Sequence, residues 1–117
     1  MVEIYADAFA QYEADNFLEA IDSFRLLCAH EPLEGKFWFG LAASLQEAKD
    51  YDGALQAWAV TSLLKPSDPY PHFHAAECYL SLQNPTEAAK ALNEAAPRAD
   101  APLEEKITLL REQWSLL

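Results

Sequence analysis

Three alanines, Ala20, Ala54 and Ala88, stand 34 residues apart, and the residues around them recur with the same spacing. Phe24, Trp58 and Leu92 follow four positions later; Phe17, Tyr51 and Pro85 precede by three; Asn16, Asp50 and Asn84 precede by four. Pro32 and Pro66 close the first two units. A fixed period with one small and one bulky residue per unit is the mark of stacked modules. Such modules bury their apolar faces against one another and leave an extended concave surface open for a ligand. A binding protein is therefore the expectation before any site is considered.

Each unit reads as two antiparallel helices, here called A and B. The A helices are expected over about 2–14, 35–48 and 69–82, and the B helices over about 17–29, 51–64 and 85–96. Turn chemistry supports the B starts. Asn16 with Glu19, and Asn84 with Glu87, fit a capping box; Asp50 caps the middle helix with Gly53 in place of the Glu. Pro85 suits a first helical position, where its missing N–H costs nothing. Ser67 or Asp68 can cap the third A helix. Ala8, Ala42 and Ala76 oppose Ala20, Ala54 and Ala88, and small residues there let each helix pair approach closely. Phe24, Trp58 and Leu92 then fill the space between units. Beyond the third unit, Leu103, Ile107, Leu110, Trp114 and Leu117 fall on one stripe of one helix, with Glu104 and Glu105 in its first turn, where the helix dipole favours them.

This is the tetratricopeptide pattern: an all-α solenoid of three helix-pair repeats, approximately 1–34, 35–68 and 69–102, within a single domain spanning 1–117, ended by a capping helix at approximately 102–116. In such a stack the A helices line the concave face. The positions expected to point into it are Val2, Tyr5, Phe9, Tyr12 and Glu13; Lys36, Phe39, Ala43, Gln46 and Glu47; and Tyr70, Phe73, Glu77, Leu80 and Ser81. Of these, Tyr5, Phe9, Tyr12, Phe39, Ala43, Gln46, Tyr70, Phe73 and Glu77 are the candidate peptide-binding residues. Exposed aromatics suit burial of Leu and Pro side chains.

Composition narrows the partners. The net charge is −11, with 8 Lys and Arg against 19 Asp and Glu. So acidic a surface repels phosphate backbones and anionic lipid, so neither nucleic acid nor a membrane surface is an expected partner. No apolar run is long enough to cross a bilayer, and MVEIYADAF has no basic segment followed by an apolar run, so it does not read as a signal peptide. The two cysteines, Cys28 and Cys78, read as buried thiols of a cytoplasmic protein. His72, His74 and Cys78 could be read as zinc ligands, but three candidates at the start of one helix make a poor site, and no metal or other cofactor is expected. No phosphate loop or nucleophile elbow is present, so no enzyme is expected.

A narrower resemblance rests on particular runs. FHAAEC (Phe73 to Cys78), its approach Pro69-Tyr70-Pro71, FWFGLAA (Phe37 to Ala43) and AFAQYEADNFLEA (Ala8 to Ala20) resemble the class II chaperones of bacterial type III secretion, the SycD/LcrH type. That resemblance implies three repeats with flanking helices and a cytoplasmic chaperone that keeps hydrophobic translocator proteins soluble before secretion. It implies that an extended N-terminal translocator segment of the PxLxxP kind is held in the groove. It also allows a homodimer, although the helix before the first repeat on which the family's dimer depends is missing here. Two other readings compete. Carboxylate clamps for heat-shock chaperones need basic or amide donors where this chain has Tyr5, Phe9, Tyr70 and His74. A scaffold or assembly subunit of a secretion or pilus apparatus would share the fold without holding a client.

Overall fold

The computed structural model describes residues 2–115, with the side chain of Val2 as well as Met1, Leu116 and Leu117 lying outside what is described. Among the described residues there are seven α-helices, one short 3-10 turn and no strand: α1 (Val2–Glu13), α2 (Phe17–His30), α3 (Gly35–Glu47), α4 (Tyr51–Leu64), α5 (Tyr70–Ser81), α6 (Pro85–Ala95) and α7 (Ala101–Trp114), the turn (Ala96–Arg98) preceding α7. Consecutive helices pack against one another from α1 to α6, in an elongated array of 43 × 25 × 22 Å.

The turns repeat as faithfully as the helices. Asp15, Lys49 and Gln83, again 34 apart, each adopt the left-handed conformation, with φ of 62°, 66° and 59°. Each sits in a Schellman turn. The amides of Asn16, Asp50 and Asn84 reach back to the carbonyls of Gln11, Leu45 and Tyr79, and those of Asp15, Lys49 and Gln83 to Tyr12, Gln46 and Leu80. Orphan carbonyls at each A-helix end are satisfied this way. The next residue then starts the B helix. Asp50 Oδ1 accepts from the Gly53 amide at 3.0 Å and Asn84 Oδ1 from the Glu87 amide at 3.2 Å. Asn16 departs from the expectation: it occupies the N-cap but its side chain makes no capping bond. At the third A helix Asp68 accepts from the Tyr70 amide at 2.9 Å, and Pro69 takes the N-cap position itself. The carbonyls of Pro32 and Pro66 are each covered by a side chain from further along the chain, Trp38 Nε1 and Arg98 Nε, both at 2.8 Å.

All six small crossing residues, Ala8, Ala20, Ala42, Ala54, Ala76 and Ala88, are 0% exposed. Phe24, Trp58 and Leu92 are buried behind them. Ala54→Leu at the central crossing is therefore expected to destabilise the chain by about 1–3 kcal/mol through overpacking; a lowered denaturation midpoint checks this, and an unchanged one would mean the α3–α4 crossing tolerates bulk.

The buried side chains form two clusters. One runs from Ala8 through α2, α3 and α4 to Cys78; the other joins Phe73, Ala76 and Leu80 of α5 to α6 and to Leu103 and Ile107 of α7. Helix α7 stands where the A helix of a fourth unit would begin, and Ile107 lies 34 residues after Phe73. Leu110 occupies the place of Ala8, Ala42 and Ala76. The stripe on α7 is buried only in its first half: Leu103 and Ile107 are covered, Leu110 is half-buried and Trp114 is exposed, while Leu117 lies outside the described residues.

Candidate peptide-binding groove

Helix α1 carries Tyr5, Phe9 and Tyr12 at i, i+4 and i+7, so the three rings share one face. They form a chain of tilted contacts, with centroids 6.1 Å apart for Tyr5–Phe9 and 6.5 Å for Phe9–Tyr12. Tyr5 is held from below by Phe24, edge-on at 6.2 Å, and by Phe37 at 5.5 Å. The Lys36 ammonium lies 5.1 Å above the Tyr5 ring, a cation–π distance. Phe9 is 46% exposed, a large apolar ring left open to solvent. Between these residues and α3 lies a cavity of about 340 Å³, walled by Tyr5, Phe9, Tyr12, Phe24, Lys36, Phe39, Gly40, Ala43 and Lys65.

A second cavity of about 250 Å³ adjoins it and shares Tyr12, Phe39 and Ala43; Gln46, Glu47, Trp58, His74 and Glu77 complete it. Its floor is a polar chain. Trp58 Nε1 donates to Gln46 Oε1 at 2.9 Å, and Gln46 Nε2 donates to Glu77 Oε1 at 3.1 Å. His74 Nδ1 meets the same carboxylate oxygen at 2.6 Å. Because a carboxylate only accepts, this contact places the proton on Nδ1. The His74 ring stacks on Trp58 at 5.0 Å, and Phe39 meets Trp58 edge-on at 4.8 Å. The amide of Gln46 is thus used at both ends, and the buried indole N–H of Trp58 is satisfied.

A family model for the tetratricopeptide repeat matches residues 36–68. The chain is 31% identical over 90 residues to the low calcium response locus protein H of Yersinia pestis, covering 77% of this chain and 54% of that protein. It is similar to the Yersinia enterocolitica secretion chaperone SycD, solved with a peptide of the translocator YopD: 28% identity, TM-score 0.92, covering 97% of this chain and 91% of that one. It is also similar to PcrH of Pseudomonas aeruginosa, solved with the chaperone binding region of PopD: 30% identity, TM-score 0.85, covering 96% of this chain and 85% of that one. The chain belongs to the type III secretion translocator chaperones. It spans about half the length of the curated relatives it matches.

Within this chaperone fold, the candidate residues divide. Tyr5, Phe9, Tyr12, Phe39, Ala43, Gln46 and Glu77 line one or both cavities. Phe73 does not. It is 7% exposed and packs with Ala76, Leu80, Leu103 and Ile107, so its ring belongs to the core. Tyr70 packs against the same cluster, with its ring 6.0 Å from His74, and walls neither cavity. Leu80, also expected in the groove, is buried in that cluster too. Phe73 holds the same repeat position as Phe39, but α7 supplies a different neighbour. Conversely, Phe24, Gly40 and Lys65 wall the first cavity without having been expected there, and Trp58 and His74 the second. Gly40 follows Phe39 and lies over the Phe24 ring, a close approach only a residue without a Cβ permits.

The remaining reactive groups are quiet. Both cysteines are buried free thiols. Burial pushes Cys28 up to about 11; burial, with the Glu77 charge behind it, pushes Cys78 up to about 12. Among the described residues no group of three His, Cys, Asp or Glu side chains is arranged to hold a metal, and no helix is long and apolar enough to cross a membrane. A further hollow of about 470 Å³ lies between the B helices α4 and α6, with His72 and Tyr79 of α5 among its walls. Burial, ahead of the nearby Arg98 charge, holds the His72 imidazole below its ordinary value.

Proposed function

We propose that this chain is a non-enzymatic, cytoplasmic bacterial chaperone that holds an extended N-terminal segment of a hydrophobic translocator protein in the groove of α1, α3 and α5, keeping the client soluble and competent for secretion. The observation that carries the reading is the pair of adjoining cavities walled by Tyr5, Phe9, Tyr12 and Phe39. An aromatic pocket with a more polar one beside it suits side chains spaced along one extended peptide, and prolines in that peptide lower the entropy lost on binding. The complexes of SycD with a YopD peptide and of PcrH with the PopD binding region support it.

Co-expression tests it. A tagged chain should bring down a membrane-inserting client and keep it in the soluble fraction. Recovery of apparatus components instead would favour a scaffold or assembly subunit. Because the walls of the first cavity are mostly aromatic, affinity for a PxLxxP-type peptide without charged side chains should change little between low and moderate salt; a steep loss, measured by fluorescence anisotropy, would mean charge pairing dominates.

A further inference from the structure

The groove is electrically divided. The first cavity is walled by two lysines, Lys36 and Lys65, and by no carboxylate; the second is walled by two carboxylates, Glu47 and Glu77, and by no lysine or arginine. The rings of Tyr12 and Phe39 stand beside the second cavity as well, while Trp58 is 1% exposed and stacked on His74. Glu77 is fixed: its Oε1 accepts from Gln46 and His74, whereas its Oε2 has no hydrogen-bond partner among the described residues. Its side chain is 38% exposed, so that oxygen is open to a ligand. A carboxylate held in place, a second carboxylate at the rim and the half-buried rings of Tyr12 and Phe39 beside them form a receptor for an ammonium or guanidinium group.

We propose that the second cavity takes a lysine or arginine side chain of the bound peptide, so that the groove selects an apolar anchor followed, or preceded, by a basic residue. This rests on the peptide-holding reading of the groove and names the chemistry of its ligand. The spacing follows from the fold. The first cavity lies between α1 and α3 and the second between α3 and α5, one helix further along. Neighbouring helix axes lie about 10 Å apart, and an extended chain rises about 3.3 Å per residue, so the basic residue sits roughly three positions from the anchor. An acidic residue at that position would face Glu47 and Glu77 and be rejected.

The test uses synthetic peptides with a PxLxxP-type core in which lysine, glutamine or glutamate is placed in turn at each position within four of the central leucine. Affinity is measured by fluorescence anisotropy against the intact chain and against Glu77→Gln, Glu47→Gln and, as a control for overall charge, Glu104→Gln on exposed α7. One position should favour lysine over glutamate by tenfold or more at low salt, with glutamine between. Glu77→Gln and Glu47→Gln should each shrink that preference at least threefold; Glu104→Gln should leave it intact. A lysine preference equal at all positions, or one that survives both substitutions, overturns the proposal and leaves the apolar groove standing. If no version of the peptide binds, the groove reading fails and the selectivity with it.

Discussion

Phe39→Ala should abolish client capture while leaving the helical content of the chain intact. Phe39 is the one aromatic shared by both cavities that also buttresses Trp58, edge-on at 4.8 Å. Buried aromatic anchors near the centre of an interface commonly lose about 2 kcal/mol or more on truncation, roughly thirtyfold in Kd. Here removal of the ring also merges the two cavities and frees the Trp58 face, so both pockets lose shape at once. Tyr5→Ala should act in the same direction, because its ring packs on Phe24 and Phe37 and lies under the Lys36 ammonium. The measurement is peptide affinity alongside far-ultraviolet circular dichroism. A mutant that is fully helical and binds normally would remove the groove from consideration.

Gly40→Ala should destabilise the chain, reversing the usual sign of that exchange. In a helix interior, alanine is ordinarily better than glycine by about 0.5–1 kcal/mol. A Cβ on Gly40 would stand 2.2 Å from Cε1 and 2.4 Å from Cζ of Phe24. That ring is 1% exposed and wedged between units, so it has nowhere to move, and a loss of roughly 1–3 kcal/mol is expected from overpacking. Gly40 and Phe24 both wall the first cavity, so peptide affinity should fall as well. Gly35→Ala supplies the contrast. The three atoms nearest its Cβ would all belong to the Lys65 side chain, the closest at 2.8 Å, and a flexible lysine can swing aside. A lowered melting temperature for Gly40→Ala with little change for Gly35→Ala is the expected pair. Equal stability of the two would mean that the α2–α3 contact is looser than the geometry requires.

The helix array was legible because its determinants are local and repeated. The alanine period, the capping Asp50 and Asn84 and the proline at position 85 all act within a few residues of themselves, and the observed B helices begin at the residues that follow those caps. The left-handed turns were not legible. Glycine is the usual residue there, and Asp15, Lys49 and Gln83 carry no such mark. In the groove, the aromatic face of α1 could be read from its spacing alone. The fate of Phe73 could not, since identical repeat positions acquire different environments when the next element changes from α5 to α7. The same holds for the link from Trp58 through Gln46 to Glu77 and His74. It joins residues up to 31 apart, and only the stacking of units brings them together.

The two-part core carries a consequence for how the molecule comes apart. Helix α5 belongs to both halves, giving Cys78 to one cluster and Phe73, Ala76 and Leu80 to the other. An array whose units touch only their neighbours loses cooperativity along its length. The terminal α6–α7 segment can therefore open while the first two units stay closed, and amide exchange should be faster there than in α2 to α4. Both cavities draw most of their walls from the slower portion. Opening that spread from α6–α7 into α5 would leave the first cavity whole, and only the contribution of His74 and Glu77 to the second would come and go with it.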